Sequence, residues 1–127
     1  MTMTDNHVEQ PFGFERLRVW QAALEALEQA NAIAAGIERP FGELKDQLRR
    51  ASLSVICNLA EGVGKEGADQ RRFFRIARGS AYETAGLIIA AHRLALVSDV
   101  QYRAARAPLV AVAAMLTRLL DLPRQAA

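Results

Sequence analysis

The stretch of sequence that decides the fold runs from Ser54 to Gly62 and reads Ser-Val-Ile-Cys-Asn-Leu-Ala-Glu-Gly. Its polar residues Ser54, Asn58 and Glu61 are spaced i, i+4 and i+7, so in a helix they form one narrow stripe. The residues between them are apolar, namely Val55, Ile56, Cys57, Leu59 and Ala60. A surface helix needs only one apolar face. This helix is therefore predicted to be covered on two sides.

The two apolar faces of this helix predict self-association. The inner face is expected to carry Leu44, Leu48, Ala51, Val55 and Leu59, and the opposite side carries Leu53, Ile56, Cys57 and Ala60. At roughly 25 cal/mol per Å² of apolar surface, leaving one face in water would forfeit several kcal/mol. We therefore expect a closed homo-oligomer. Its subunit interface, or an interhelical polar stripe, is expected to include Leu53, Ser54, Ile56, Cys57, Asn58 and Glu61.

The composition is that of one globular domain. The chain has 127 residues, of which 51% are hydrophobic and 24% are charged. The net charge of +2 is too small to indicate nucleic-acid binding by itself. The single cysteine, Cys57, excludes an internal disulfide framework and fits a reducing compartment. The polar N-terminal sequence lacks a signal-peptide pattern, and no apolar run reaches the roughly 20 residues of a membrane span, so we expect a cytoplasmic protein.

Apolar periodicity predicts four helices without strands, at 14–36, 43–61, 68–96 and 98–122. The short loops between them favour an all-α fold, an antiparallel up-and-down four-helix bundle. Residues 1–13 are expected to form a flexible N-terminal arm, residues 14–122 the bundle domain and residues 123–127 a C-terminal tail. Ser98 and Gln101 match a capping box. Pro108 is expected to kink or interrupt the fourth helix.

The same periodicity predicts which side chains face the core. For the first helix these are Leu17, Trp20, Leu24, Leu27 and Ala34, with Glu25 and Glu28 on the wet face. For the third helix they are Phe73, Phe74, Ala77, Ser80, Ala81, Thr84, Leu87, Ile88 and Ala91. Gly79 and Gly86 lower the helix propensity by up to about 1 kcal/mol each relative to Ala. They are expected where another helix approaches closely.

Arginines crowd the beginning of the third helix. Arg71, Arg75 and Arg78 are spaced i, i+4 and i+7 and have no acidic residue three or four positions away. Arg49 and Arg50 on the second helix are candidates to join them. One interpretation is a binding surface for RNA or DNA phosphates. The other interpretation is that the arginines form ion pairs across helices or subunits with Glu25, Glu28, Glu61 or Glu83. We favour this second interpretation, because clustered charges are more often paired or solvated than used for binding.

The sequence contains no recognisable group of catalytic residues. Ser54, Asn58 and Glu61 have no histidine near them in sequence, and no strand-turn-helix elbow presents the serine. Glu61 and Glu83 are the best candidates for buried or half-buried carboxylates. Neither histidine follows a glutamate by three residues, as di-metal bundles require. We expect no enzyme activity, no metal, no cofactor and no small-molecule ligand.

Three spaced motifs resemble a known family. Phe14-Glu-Arg-Leu17-Arg-Val19-Trp20-Gln21 resembles the opening of the four helix bundle proteins, also called the S23 or 23S rRNA intervening-sequence protein family. Leu48-Arg49-Arg50-Ala51, Ser54 and Asn58-Leu-Ala-Glu61-Gly62 resemble the second helix of that family. Phe74, Ala77, Gly79-Ser80 and Glu83 resemble its third helix. Ile56 stands where the family often has proline, and Ala85 stands where a second glutamate is common.

The resemblance implies an antiparallel four-helix bundle assembled into a ring, a homopentamer. Some members of the family are encoded within insertions in bacterial 23S rRNA genes, and similar bundles bind nucleic acid and a reverse transcriptase in diversity-generating retroelements. Our leading hypothesis is a non-enzymatic oligomeric binding protein whose arginines contact RNA, DNA or an acidic protein partner. Phosphate contacts are expected from Arg71, Arg75 and Arg78, helped by Arg49 and Arg50. The alternative is a structural or scaffold oligomer with protein partners only.

Overall fold

The computed structural model of the protein describes residues 12–121. A short 3₁₀ helix, Gly13–Arg16, precedes four helices: α1 (Arg18–Ala35), α2 (Gly42–Val63), α3 (Gly67–Arg93) and α4 (Asp99–Asp121). This part of the chain contains no strand. Helix α2 packs on α1 and α3, and α4 packs on α3 and α1, so each helix has two neighbours. The predicted all-α class is confirmed, and the packing is consistent with a four-helix bundle.

The ends of two helices differ from the prediction. Helix α1 begins at Arg18 and not at Phe14, because the chain first makes the 3₁₀ helix, which Glu15 stabilises by accepting a 2.7 Å hydrogen bond from the backbone N–H of Phe12. Helix α3 ends at Arg93 and not at Leu96. There Ala95 adopts a left-handed φ of 61°, which ends the helix. The predicted tail, residues 123–127, and all but the last two residues of the predicted arm lie outside the described residues.

The core face predicted for α1 is wrong in its helical phase. The structure buries Val19, Ala23, Ala26, Ala30 and Ile33, together with the correctly predicted Ala34. Leu17 is exposed, and the other three predicted residues are half-buried at the flanks of the alanine row. The physical reason is that small side chains let α1 approach α2 and α4 closely, while the larger side chains cover the edges of the contact.

The core faces predicted for α2 and α3 are confirmed apart from three half-buried residues, Leu44, Phe73 and Leu87. Helix α2 buries Leu48, Ala51, Val55 and Leu59, and α3 buries Phe74, Ala77, Ser80, Ala81, Thr84, Ile88 and Ala91. The buried hydroxyls of Ser52 and Thr84 donate to backbone carbonyls one turn earlier, at 2.9 and 2.7 Å. Their burial therefore leaves no hydroxyl unsatisfied.

Helix α4 is uninterrupted from Asp99 to Asp121, so the expected interruption at Pro108 is wrong, while the alternative, a kink, stays a prediction. Proline inside a helix costs about 3 kcal/mol, because it removes a backbone donor and crowds the preceding turn. Here the Pro108 ring is buried, and the packing of α4 on α1 and α3 offsets that cost. At the start of α4 the predicted cap is confirmed, since Ser98 Oγ accepts a hydrogen bond from the backbone N–H of Gln101 at 3.1 Å. Among residues 12–121, no helix has the length and apolarity needed to cross a membrane.

Gly62, the last residue of the Ser54–Gly62 stretch, lies at a close contact between α2 and α3. A Cβ placed on Gly62 would lie 2.8 Å from two ring atoms of Phe74 and 3.1 Å from Phe73 Cβ. The Phe74 ring is buried in the core and has little room to move. Glycine at this position is therefore required by packing and not by backbone conformation.

We predict that Gly62→Ala lowers the free energy of unfolding by about 1–2 kcal/mol. Overpacking typically costs 1–3 kcal/mol, and the higher helix propensity of alanine returns up to about 1 kcal/mol. Urea denaturation measures the change. In a Phe74→Leu background the smaller side chain relieves the clash, so Gly62→Ala is expected to be neutral or stabilising there. Equal costs in both backgrounds would contradict the assignment.

Candidate nucleic-acid interface

The three arginines predicted to contact phosphate lie along one side of α3, and two of them reach to α4. The Arg71 guanidinium donates a hydrogen bond to the backbone carbonyl of Leu120 at the end of α4. Arg78 Nη1 donates to Thr117 Oγ1 at 3.2 Å. Arg75, between them, is exposed. Arg71 and Arg78 therefore connect α3 to α4, and Arg75 is left to face solvent.

The acidic partners considered for these arginines do not pair with them within the described part of one chain. The ion pairs formed there by lysine and arginine join Lys65 to Glu61 at 3.4 Å and Arg72 to Asp69 at 3.2 Å. Both pairs are exposed and join residues three or four positions apart in the sequence. Such pairs contribute little to stability. The positive charge of Arg71, Arg75 and Arg78 is therefore not neutralised by the helices around them.

Packing brings further arginines to the same surface. The contacts of Arg71 with Leu120 and of Arg78 with Thr117 set the register of α3 against α4. Residues spaced by three, four or seven positions share a helix face, which adds Tyr82, Ile89 and Arg93 to Arg78 on α3. On α4 the same spacing from Thr117 selects Arg103, Arg106 and Val110. We call this surface the α3–α4 face: Arg71, Arg75, Arg78, Tyr82, Ile89, Arg93, Arg103, Arg106, Val110 and Thr117.

Acidic residues are kept away from the middle of the α3–α4 face. Ser80 marks the side of α3 that faces α2, because its hydroxyl lies 2.7 Å from that of Ser54. The acidic residues of α3, Asp69 and Glu83, lie eleven positions before and three after Ser80, so they share the α2 side. Helix α4 contains no acidic residue between its first and last residues, Asp99 and Asp121. The face is therefore basic over most of its length.

Arg49 and Arg50 are not part of this face. Both are exposed, and both lie on α2, which packs on α1 and α3. The contact of Ser54 with Ser80 gives the register of α2 against α3. Continuing that register places the two arginines level with the segment around Gly86, about two turns beyond Arg78. The sequence suggested one arginine cluster, but the fold places Arg49 and Arg50 on α2 and the other arginines on the α3–α4 face.

The polar stripe of α2 joins α2 to α3 at one point. Ser54 Oγ lies 2.7 Å from Ser80 Oγ, and Asn58 Nδ2 donates to the carbonyl and the hydroxyl of Ser54 at 2.9 and 3.1 Å. Glu61 is exposed and pairs with Lys65. The hydrogen-bonding neighbours of the Ser54 hydroxyl are thus a serine and an asparagine, neither of which is a general base. This arrangement holds the two helices together and does not activate the serine as a nucleophile.

The second apolar face of α2 is narrower than predicted, and it continues onto α3. Leu53 is 51% exposed and Cys57 is exposed, but Ile56 is half-buried against the core. On the adjoining side of α3, Ile76 is 41% exposed, and a Cβ added at Gly79 or Gly86 would meet no atom within 4 Å. The close approach expected at these glycines is therefore absent within residues 12–121. We call Leu53, Cys57, Ile76, Gly79 and Gly86 the α2–α3 outer face.

A cavity of about 360 Å³ lies between the start of α1 and the end of α4. It is lined by Leu17, Arg18, Val19, Met115, Arg118 and Leu119, so its ionisable groups are two arginines. The expectation that Glu61 and Glu83 are buried or half-buried is wrong, because both are exposed. Among residues 12–121, no group of three histidine, cysteine, aspartate or glutamate side chains could hold a metal ion.

Comparison with known proteins agrees with this architecture. A family model described as 23S rRNA-intervening sequence protein matches residues 15–118. The chain belongs to this family. A crystal structure of a protein of unknown function from the S23 ribosomal protein family, from Bacteroides thetaiotaomicron VPI-5482, superposes with a TM-score of 0.74. The two chains are 19% identical, and the match covers 82% of this chain and 99% of the other, so it shows a shared fold. A comparison with curated proteins gave no match.

At the other end of the α3–α4 contact, three side chains form a small cluster. His92 Nε2 and Asp99 Oδ1 are 2.6 Å apart, and the His92 ring stacks on Tyr102 with centroids 4.0 Å apart. The hydrogen bond from His92, followed by the Coulombic attraction of the same ring, lowers the pKa of Asp99 below its ordinary value of 3.8. The cluster connects the end of α3 to the first turn of α4.

We predict that Asp99→Asn lowers stability more at pH 6 than at pH 3. A carboxyl group whose pKa is lower in the folded than in the unfolded state stabilises the fold above its ordinary value of 3.8. That contribution is lost as the pH falls through the folded-state pKa. Urea midpoints of both proteins at the two pH values measure the effect. His92→Gln should remove most of it, and an undiminished effect in that background would contradict the assignment.

Proposed function

We propose that this protein is a non-enzymatic oligomeric binding protein whose α3–α4 face contacts the phosphates of RNA or DNA. One observation carries the proposal: six arginines gather on this face, and the acidic residues of α4 that share it, Asp99 and Asp121, lie only at its two ends. The net charge of the whole chain is only +2, so this concentration is a property of the fold and not of the composition. A clustered basic face is the usual electrostatic signature of nucleic-acid binding.

The arginines of the face have different roles in this proposal. Arg71 and Arg78 donate to α4, which orients them along the face and uses part of their hydrogen-bonding capacity. Arg75, Arg93, Arg103 and Arg106 are exposed, and they supply the main phosphate contacts. A guanidinium can donate two parallel hydrogen bonds to one phosphate, which suits this role. Arg49 and Arg50, on α2, have only a supporting role through their charge.

The proposal includes a ring of antiparallel bundles, with a pentamer as the expected size. Two contacts support the antiparallel order, because Ser54 meets Ser80 whereas the later residue Gly62 meets the earlier Phe74. The α2–α3 outer face supports self-association. Leu53 and Ile76 present apolar surface there, and Gly79 and Gly86 leave room for a helix of another subunit to approach closely.

Catalysis is not part of the proposal. The cavity between α1 and α4 is lined by apolar side chains and two arginines, which provide no acid–base pair or nucleophile. We also propose a cytoplasmic location, because a single free cysteine fits a reducing compartment. A scaffold with protein partners only is the second candidate, favoured by the apolar surface that Leu53 and Ile76 expose. Measurement of nucleic-acid binding over a salt series separates the two candidates.

We predict that the protein binds single-stranded RNA or DNA in low salt and that Arg75→Gln with Arg106→Gln weakens this binding. Each lost phosphate contact should reduce the slope of log K against log salt by about 0.7 for a single strand. The double variant should therefore lose about 1.4 from the slope, whatever the sequence of the strand. Fluorescence anisotropy over a salt series measures both the affinity and the slope.

The matched control is Arg18→Gln with Arg39→Gln, which removes the same charge from exposed positions outside the α3–α4 face. Equal losses in the two double variants would show that net charge, and not this face, determines binding. No binding of any strand by the unchanged protein, even in low salt, would reject the nucleic-acid proposal and leave the scaffold candidate.

We predict that Leu53→Asp breaks the oligomer while the subunit stays folded. Half of the Leu53 side chain is exposed in the single chain, so aspartate is tolerated there, but in an apolar interface it would be a buried, unpaired charge. Such a charge typically costs about 3–5 kcal/mol, enough to weaken the assembly more than 100-fold. Light scattering measures the mass. Val100→Asp, at an exposed apolar position at the start of α4, is the control, and a monomeric unchanged protein at micromolar concentration would reject the ring.

A further inference from the structure

Tyr82 is an exposed aromatic side chain in the middle of the α3–α4 face. It lies one turn beyond Arg78 and two turns beyond Arg75 on the same side of α3, and it is 61% exposed. Phe12 is also exposed, but it stacks on Phe14 with centroids 5.5 Å apart, and Tyr102 stacks on His92. Within residues 12–121 the Tyr82 ring stacks on no other aromatic ring. At 61% exposure, much of the ring is accessible to a ligand.

Two aliphatic side chains extend the apolar surface that Tyr82 begins. Ile89 follows Tyr82 by seven residues on α3 and is 43% exposed. Val110, on the part of α4 that the register places beside them, is 52% exposed. The register places these three exposed side chains between Arg75 and Arg78 at one end and Arg93 and Arg103 at the other, with Arg106 level with Ile89; we call the three the apolar strip. The α3–α4 face thus offers two kinds of contact, charged at its ends and apolar in its middle.

We propose that the α3–α4 face binds single-stranded nucleic acid with unpaired bases, and that Tyr82 stacks on one of the bases. This inference rests on the proposed function. Arginines at both ends of the face hold the backbone, and the strip of Tyr82, Ile89 and Val110 covers the base faces between them. Single-stranded binding sites combine these two features, a basic track and aromatic side chains that accept any base.

A double helix would not use the apolar strip. Its bases are stacked inside, so it presents phosphates and sugars to a surface of this width, and Tyr82 and its neighbours would face charged backbone. Unpaired bases are available to cover the ring, and burial of the ring and the base from water favours the complex. The strip therefore selects unpaired over paired nucleic acid, while the arginines alone would accept both.

The test compares an oligo(dT) strand with a strand of the same length that has the same phosphates but no bases. Stacking on Tyr82 should make the unchanged protein bind oligo(dT) about tenfold more tightly than the abasic strand. Tyr82→Ala should remove most of this preference while leaving the affinity for the abasic strand and the salt slope unchanged. Arg75→Gln should weaken the binding of both strands alike. Fluorescence anisotropy measures all of these affinities.

Two variants and one measurement serve as controls. Tyr82→Phe keeps the ring and should keep the preference for bases. Phe12→Ala removes a ring of similar exposure next to α1 and α2, and it should change nothing. The mass of Tyr82→Ala by light scattering should equal that of the unchanged protein.

Three results would overturn the inference. If oligo(dT) and the abasic strand bind equally and Tyr82→Ala binds like the unchanged protein, the face takes phosphates only, and the proposed function stands without the inference. If Tyr82→Ala has a lower mass, the ring belongs to a subunit contact. If no strand or duplex binds at all, the proposed function falls together with the inference.

Discussion

The structure depends on the close contact between α2 and α3. At Gly62 the two helices approach until the Phe74 ring occupies the place that a side chain would take. Eight residues earlier along α2, the hydroxyls of Ser54 and Ser80 meet at 2.7 Å. A shift of one residue would place a Cβ against the ring and separate the hydroxyl of the buried Ser80 from that of the half-buried Ser54. The two contacts together therefore determine the register, and the register decides which residues of α3 point outward.

Sequence patterns predicted the elements of the fold better than the details of their packing. In α2 and α3 large apolar residues alternate clearly with polar ones, so their core faces followed from periodicity. In α1 the buried row is mostly alanine, and the larger Leu24 and Leu27 on its flank give the stronger apolar signal. Pro108 failed as a break because tertiary packing outweighs a local propensity of about 3 kcal/mol.

The candidate site shows a similar division. The arginines of α3 could be found from the sequence, because they are neighbours within one helix. Arg103 and Arg106 could not, because only the packing of α4 on α3 brings them to the same surface. Arg49 and Arg50 were misleading for the opposite reason, since α2 packs on the other side of α3. One signal was available: α4 has no acidic residue between its ends, which is unusual for a partly exposed helix of 23 residues.

Different sides of helix α3 have different roles. Its buried side packs in the core, the side next to α2 carries Ile76, and the side next to α4 carries Arg78. Gly79 and Gly86 lie between these two sides, one turn from Tyr82. The two outward surfaces therefore meet along α3, so the proposed subunit contact would border the proposed binding face. In a ring each subunit would then present the same face to one strand. Linked contacts raise the effective concentration of each further contact, so a weak site on a single subunit would suffice for tight binding by the assembly.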